Sequence, residues 1–255
     1  MIDYLNEKKM KALKNNPLVI AIPLLMVAMI SVSCTKDKKP TYSCNPKINK
    51  WVIENLGVIN YASRSQLSEL PLPFQKASYQ SLSPERKYEL WNEKLEYEKN
   101  RWDEPIQVMI NDLQSNMKID WFNDTLYASH YAYLELWEEQ MLTMYMDTSE
   151  YAFSFMQLAT EEELEKVLLH PETISYTWVQ NTSPINEYNK TRDVPVGGEQ
   201  LNCICNWDAT CASMNAGLCI KENTCNQTPD GCGLLWQYPC KGECENHMVV
   251  IDDEQ

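Results

Sequence analysis

The chain has 255 residues, 44% of them apolar and 23% charged, enough for one mid-sized domain or a domain with a small module, and too apolar to be disordered throughout. Six of its seven glycines lie at or after Gly197, so the earlier chain holds no phosphate-cradling loop or dinucleotide fingerprint. A net charge of −14 argues against sequence-independent nucleic-acid binding, which needs Lys and Arg to displace counterions.

The chain begins with a basic stretch, Lys8, Lys9, Lys11 and Lys14, followed by an apolar run from Leu18 to Ile30 broken once by Pro23. At about 1.5 Å per residue that run makes roughly 20 Å of helix, short of the ~30 Å hydrocarbon core, so it reads as a signal-peptide core and not as a membrane span. It ends in Ser31-Val32-Ser33-Cys34, which resembles a bacterial lipoprotein signal. The resemblance implies that residues 1–34 are the signal and that Cys34 receives diacylglycerol and becomes the mature N-terminus. An ordinary cleaved signal, with Cys34 left as a disulfide partner, is the alternative. Residues 35–44 are polar and lysine-rich and read as a tether. The leader is net positive, so the rest of the chain carries −16. The expected membrane partner is therefore held through the N-terminal lipid and not through surface charge.

Residues 45–171 read as a helical domain. Asn45-Pro46 gives a cap and a first-turn proline, Ile48, Trp51, Val52 and Leu56 follow at helical spacing, and Gly57 is the expected stop. Ser63 with Gln66 has capping-box spacing. Ser83-Pro84-Glu85 opens a helix carrying Tyr88, Trp91, Leu95 and Trp102, and Asp103 with Pro105 restarts the pattern. Ile106, Met109, Ile110, Leu113 and Met117 form the cleanest amphipathic stripe. A long helix is expected from Asp124 to Tyr145, with Leu126, His130, Tyr133, Trp137, Met141 and Met144 on one face. Thr160 with Glu163 is a second capping box, and His170-Pro171 closes that helix. Six or seven helices with no period-two alternation predict an all-α helical bundle with an aromatic core.

No HExxH, GxSxG or Cys-His nucleophile pattern is present, and no carboxylate spacing singles out an acid–base pair. His130 lies on an apolar stripe and reads as a core histidine bonded to a neighbour. His170 reads as a C-terminal cap favoured by the helix dipole. No catalytic residue, metal ligand or cofactor is assigned, and the chain is expected not to be an enzyme.

Residues 172–202 lose helical period and read as a linker, and Val194-Pro195-Val196-Gly197-Gly198 as its hinge. Eight cysteines follow within 203–244: Cys203, Cys205, Cys211, Cys219, Cys225, Cys232, Cys240 and Cys244. A 42-residue module is near the lower limit for a core-stabilised fold, and in an oxidising compartment bridges at about 2–4 kcal/mol each would supply the stability. Zinc knuckles are the competing reading, but only Cys240 and Cys244 have such spacing, and the nearest histidine is His247. The pairing is open. Trp207, Trp236 and Tyr238 are candidate contact residues, because aromatic side chains offer large area at low entropic cost. With Cys34 lipidated and eight cysteines paired among themselves, Cys44 is the expected odd thiol. Residues 245–255 form an acidic tail.

The runs Gly231-Cys232-Gly233-Leu234-Leu235-Trp236 and Pro239-Cys240-Lys241-Gly242-Glu243-Cys244, and more loosely Leu82-Ser83-Pro84-Glu85-Arg86-Lys87 and Leu90-Trp91, resemble the bacteriocin fulvocin C-related proteins of Bacteroidetes. The resemblance implies a lipoprotein signal, a helical region and a disulfide-framed tail. The expected function is a non-enzymatic lipoprotein of the cell envelope, on either face of an outer membrane, binding an unknown protein or glycan through the tail. The alternative is a bacteriocin-like precursor whose tail is an antibacterial peptide. The tail is acidic, whereas peptides that attack anionic membranes are usually cationic. With Gly197-Gly198 read as a flexible hinge and not a cleavage site, the tail is expected to stay attached, and to fold on its own bridges.

Overall fold

A computed structural model describes residues 40–123, 130–170, 173–191, 219–220, 228–241 and 243–244. The helices follow the capping chemistry closely. α1 (Pro46–Ile59) starts where the Asn45 side chain accepts from the Lys47 and Ile48 amides. α2 (Arg64–Ser68) carries the Ser63–Gln66 capping box. α3 (Leu72–Gln80) follows Pro71, and α4 (Pro84–Lys99) is capped by Ser83. α5 (Glu104–Asn116) leads through a 3-10 turn (Ile119–Phe122) towards α6 (Tyr131–Met144). α7 (Thr148–Phe155), α8 (Glu161–Leu169) and α9 (Ser183–Thr191) complete the helices among the described residues. None of these is long and apolar enough to cross a membrane.

Several boundaries differ from the expectation. Gly57 lies inside α1, which runs on because Ile59 is buried in the core. The described part of the helix expected from Asp124 begins at Tyr131, after His130; residues 124–129 lie outside the described residues. The expected linker contains α9, and Ile174, Tyr176, Val179 and Ile185 are buried, so residues 173–191 belong to the folded body. Three of the helices, α3, α7 and α9, had no counterpart in the sequence reading.

α4 is central, touching α2, α5, α7 and the 3-10 turn, while α1 packs on α3 and α9. The tail adds small antiparallel ladders. β1 (Cys219–Ile220) pairs with β4 (Glu243–Cys244), setting Cys219 opposite Cys244. β2 (Thr228–Cys232) pairs with β3 (Tyr238–Cys240), setting Cys232 opposite Tyr238. Between β2 and β3 a second 3-10 turn, Leu234–Trp236, enters the body. β2 lies against α3 and this turn against α7.

The described part of the tail shares the core of the helical body. Leu234, Leu235 and Trp236 belong to the same buried cluster as Trp51, Trp91 and Trp137, and Tyr42–Gln255 forms one compact unit. The physical reason is size: a short bridged loop cannot shelter two leucines and a tryptophan, so they use the core of the body. The Cys232–Cys240 disulfide closes the loop that carries them. Cys44 is also corrected, because it is disulfide-bonded and not the odd thiol. Cys34, Cys203, Cys205, Cys211, Cys225 and Trp207 lie outside the described residues.

Candidate functional site

The site is positioned by the way the tail is held. Gly231 and Gly233 have φ of 101° and 67°, and Leu235 and Trp236 follow at 52° and 55°. Left-handed backbone costs a non-glycine residue about 1–3 kcal/mol and persists only where its surroundings impose it. Here burial does so. Trp236 is 1% exposed, meets Tyr79 edge-on at 4.8 Å and Trp91 at 5.8 Å, and donates its indole N–H to the Met156 carbonyl at 2.8 Å. The Lys76 ammonium lies over the Trp236 ring, donates to the Gly231 carbonyl and sits 3.3 Å from Cys232 Sγ. Trp236 is therefore a core residue and not a contact residue.

This anchoring carries the next two residues to a row of half-buried rings. Tyr238 stacks on Tyr131 at 5.4 Å and 26°. Tyr131 donates its phenol to the Gln237 carbonyl at 2.9 Å and meets His130 at 4.8 Å. His130 stacks on Trp121 at 5.0 Å and 11°, and Trp121 meets Tyr133 at 5.8 Å. The row thus joins the first 3-10 turn, the start of α6 and β3. His130 is buried as expected, 5% exposed and stacked between rings, and burial lowers its pKa. Among the described residues the His130 Nε2 and the Tyr238 phenol have no hydrogen-bond partner.

Carboxylates surround the rings. Tyr133 donates to Asp112 Oδ2 at 2.7 Å. Burial, and to a lesser degree the neighbouring Glu135, push the Glu138 carboxyl up. Burial, then Glu138 and Glu135, raise the Tyr238 phenol. Among the described residues Asp112, Asp120, Glu135, Glu138 and Glu139 make no ion pair. No group of three metal-ligating side chains occurs among the described residues either. The arrangement offers ring edges, carboxylates without an ion pair and two polar atoms without a hydrogen-bond partner among the described residues.

Of the candidate contact residues, Tyr238 joins this site and Trp236 does not, while Trp207 lies outside the described residues. The sequence reading missed Asp112, Trp121, Tyr131, Glu135 and Glu138. A signal was there to find them: residues 102–160 hold ten acidic side chains and one lysine. Comparison with protein-family models, curated proteins and solved structures finds no match for the chain.

Proposed function

We propose that the chain is an exported, lipid-anchored protein of the bacterial cell envelope that binds a partner through the aromatic, acidic face of Trp121, Tyr131, Tyr133, Glu135 and Tyr238. In this reading the cysteine-rich tail is a fixed part of the face. The observation that carries it is the burial of Trp236 in the helical core, which sets Gln237 and Tyr238 against Tyr131. The signal layout and the bonded Cys44, Cys232 and Cys240 support export to an oxidising compartment. Cutting after Gly198 would strip Leu234, Leu235 and Trp236 from the core, which weighs against the antibacterial-peptide alternative.

The test places a benzophenone amino acid at exposed Leu136, beside the ring row, and at exposed Ile53 on α1 as a control. Illumination of cells is expected to give a membrane-fraction adduct from position 136 and none from 53. Cys34→Ala is expected to shift the protein out of the detergent-extracted fraction. A soluble wild-type protein, a free tail fragment in the medium, or equal adducts from both positions would overturn the reading.

A further inference from the structure

Charge is distributed very unevenly along the body. Residues 45–101 hold nine basic and seven acidic side chains, whereas residues 102–160 hold one basic and ten acidic. The first set is used internally. Arg64 pairs with Glu163 at 2.7 Å, Lys94 with Glu98 at 2.6 Å, and Arg101 with Glu98 and Glu161. In the second set, by contrast, Asp112, Asp120, Glu135 and Glu139 are exposed and make no ion pair among the described residues.

The same sector exposes apolar surface. Tyr133 bonds Asp112, and Trp137 bonds the Met109 carbonyl, so α6 advances as α5 retreats and the two helices run antiparallel. Val108 and Leu136 adjoin these contacts in sequence and stand 59% and 54% exposed. The seam therefore carries two bare aliphatic side chains, half-exposed Trp121, Tyr131, Tyr133 and Tyr238, and a rim of uncompensated carboxylates. At the centre of the ring row, His130 is nine-tenths buried and keeps Nε2 without a hydrogen-bond partner among the described residues.

Resting on the binding reading above, we propose that the partner is a basic protein segment carrying arginine or lysine among apolar side chains, received on the α5–α6 seam and the ring row. Its cations enter between Glu135, Glu138 and the rings, and its apolar side chains cover Val108 and Leu136. Charge complementarity argues for this occupant. A cation relieves the repulsion between Glu135 and Glu138, and a guanidinium also stacks on aromatic faces. An anionic lipid surface or a nucleic acid meets repulsion here. Each exposed ion pair contributes only about 0.2–1 kcal/mol, so the carboxylates act together, through steering and register, and their effect fades with salt.

The test uses the oxidised full chain in nonionic detergent. The probe is a fluorescein-labelled peptide of Arg-Ser-Tyr repeats, with a Glu-Ser-Tyr counterpart, read by anisotropy at two salt concentrations. The Arg peptide is expected to bind and the Glu peptide not. Glu135→Gln with Glu138→Gln should weaken binding about tenfold and flatten its salt dependence. The same charge change elsewhere, Glu54→Gln with Glu162→Gln, should alter binding by less than about twofold. Equal weakening by both pairs would reduce the effect to net charge and overturn the inference, as would absence of Arg-peptide binding or preference for a neutral oligosaccharide. The benzophenone adduct separates the two failures. An adduct at position 136 without Arg-peptide binding sinks only the cationic partner, and absence of both sinks the binding face as well.

Discussion

Residues 45–101 and 102–160 are adjoining stretches of one helical body that put charge to opposite uses. In the first, charge is structural. Lys94 and Glu98 are both 0% exposed, and Lys94 also donates to the Ala159 carbonyl at 2.7 Å, tying α4 to the start of α8. Arg64 reaches the Leu158 carbonyl and Glu163 and does the same from α2. In the second stretch cohesion comes from rings: Trp137 meets Phe155 at 5.1 Å, and Tyr151 meets Phe155 at 5.4 Å. Of its carboxylates, Asp112, Asp120, Glu135 and Glu139 make no ion pair among the described residues. Charge that neutralises itself inside a fold holds the fold together; charge left unmatched outside is available to something else.

The tail is docked mainly on the first stretch, through Lys76, Tyr79 and Trp91, and this gives the largest expected effect. Trp236→Ala removes three ring contacts and the Met156 hydrogen bond and should cost about 4 kcal/mol. In a body of this size that corresponds to roughly 10 °C in the melting temperature. Far-UV circular dichroism reports the helices, so it distinguishes the cases. A fall in helical melting temperature means that tail and body unfold together; an unchanged one would restore a separate module.

A smaller loss is expected inside the charge network. Burial holds the Lys94 ammonium down at about 8 although Glu98 favours its charged form. Lys94→Met leaves Glu98 buried with only Arg101 at 3.1 Å and the Trp102 indole at 3.3 Å. The cost should be about 3 kcal/mol by urea denaturation, at the low end for a broken buried pair because Arg101 remains. Adding Glu98→Leu should recover most of it. Failure of the second change to help would mean that the pair itself stabilises the body.

Four helix starts were legible from their side-chain caps: Asn45, Ser63, Ser83 and Thr160 all cap as expected, whereas Asp147, which accepts from the Glu150 amide at the start of α7, was missed. α3 was missed because Pro71 offers no side-chain cap and polar Gln75 and Ser78 are buried beside Phe74 and Tyr79, which blurs the stripe. α9 was missed because its short polar run rests mainly on one buried residue, Ile185. Lys94 reads as a surface residue of a charged helix, and only packing against α7 and α8 puts it in the core. Trp236 was ambiguous for the same reason. A tryptophan beside a disulfide suits a surface or a core, and Tyr79 and Trp91, more than a hundred residues earlier, decide which. Of the candidate site, the acid bias of 102–160 was readable. The ring row was not, because it joins three separate stretches of chain.

The network should also show in the response to acid. Burial raises the Glu163 carboxyl, but the Arg64 guanidinium, the Thr160 amide and the Ser68 hydroxyl outweigh it and hold the pKa down at about 2. A depressed carboxylate contributes stability that is fully present above its unfolded value, near 4.5, and is lost as pH falls towards about 2. After allowance for partial solvent screening the loss should be about 2 kcal/mol. Glu163→Gln should remove most of this pH dependence while lowering stability at pH 7. An unchanged slope below pH 4.5 would show that the charge locking attributed to this half lies elsewhere.

The smallest expected effect is the most diagnostic of the comparison. If the carboxylates of 102–160 do no structural work, Glu135→Gln with Glu139→Gln should leave stability at pH 7 unchanged within about 0.5 kcal/mol, or raise it slightly by relieving repulsion on α6. Both side chains are exposed, and neither makes an ion pair among the described residues. Salt should act in the same direction: added sodium chloride screens like charges, so wild type should gain slightly and the double variant less. A loss above about 1 kcal/mol would place these side chains among the structural charges, alongside Lys94 and Glu98. Two neighbouring carboxylates that cost nothing to neutralise, on a helix with no basic residue, leave the fold without a reason for their charge, and binding then supplies one.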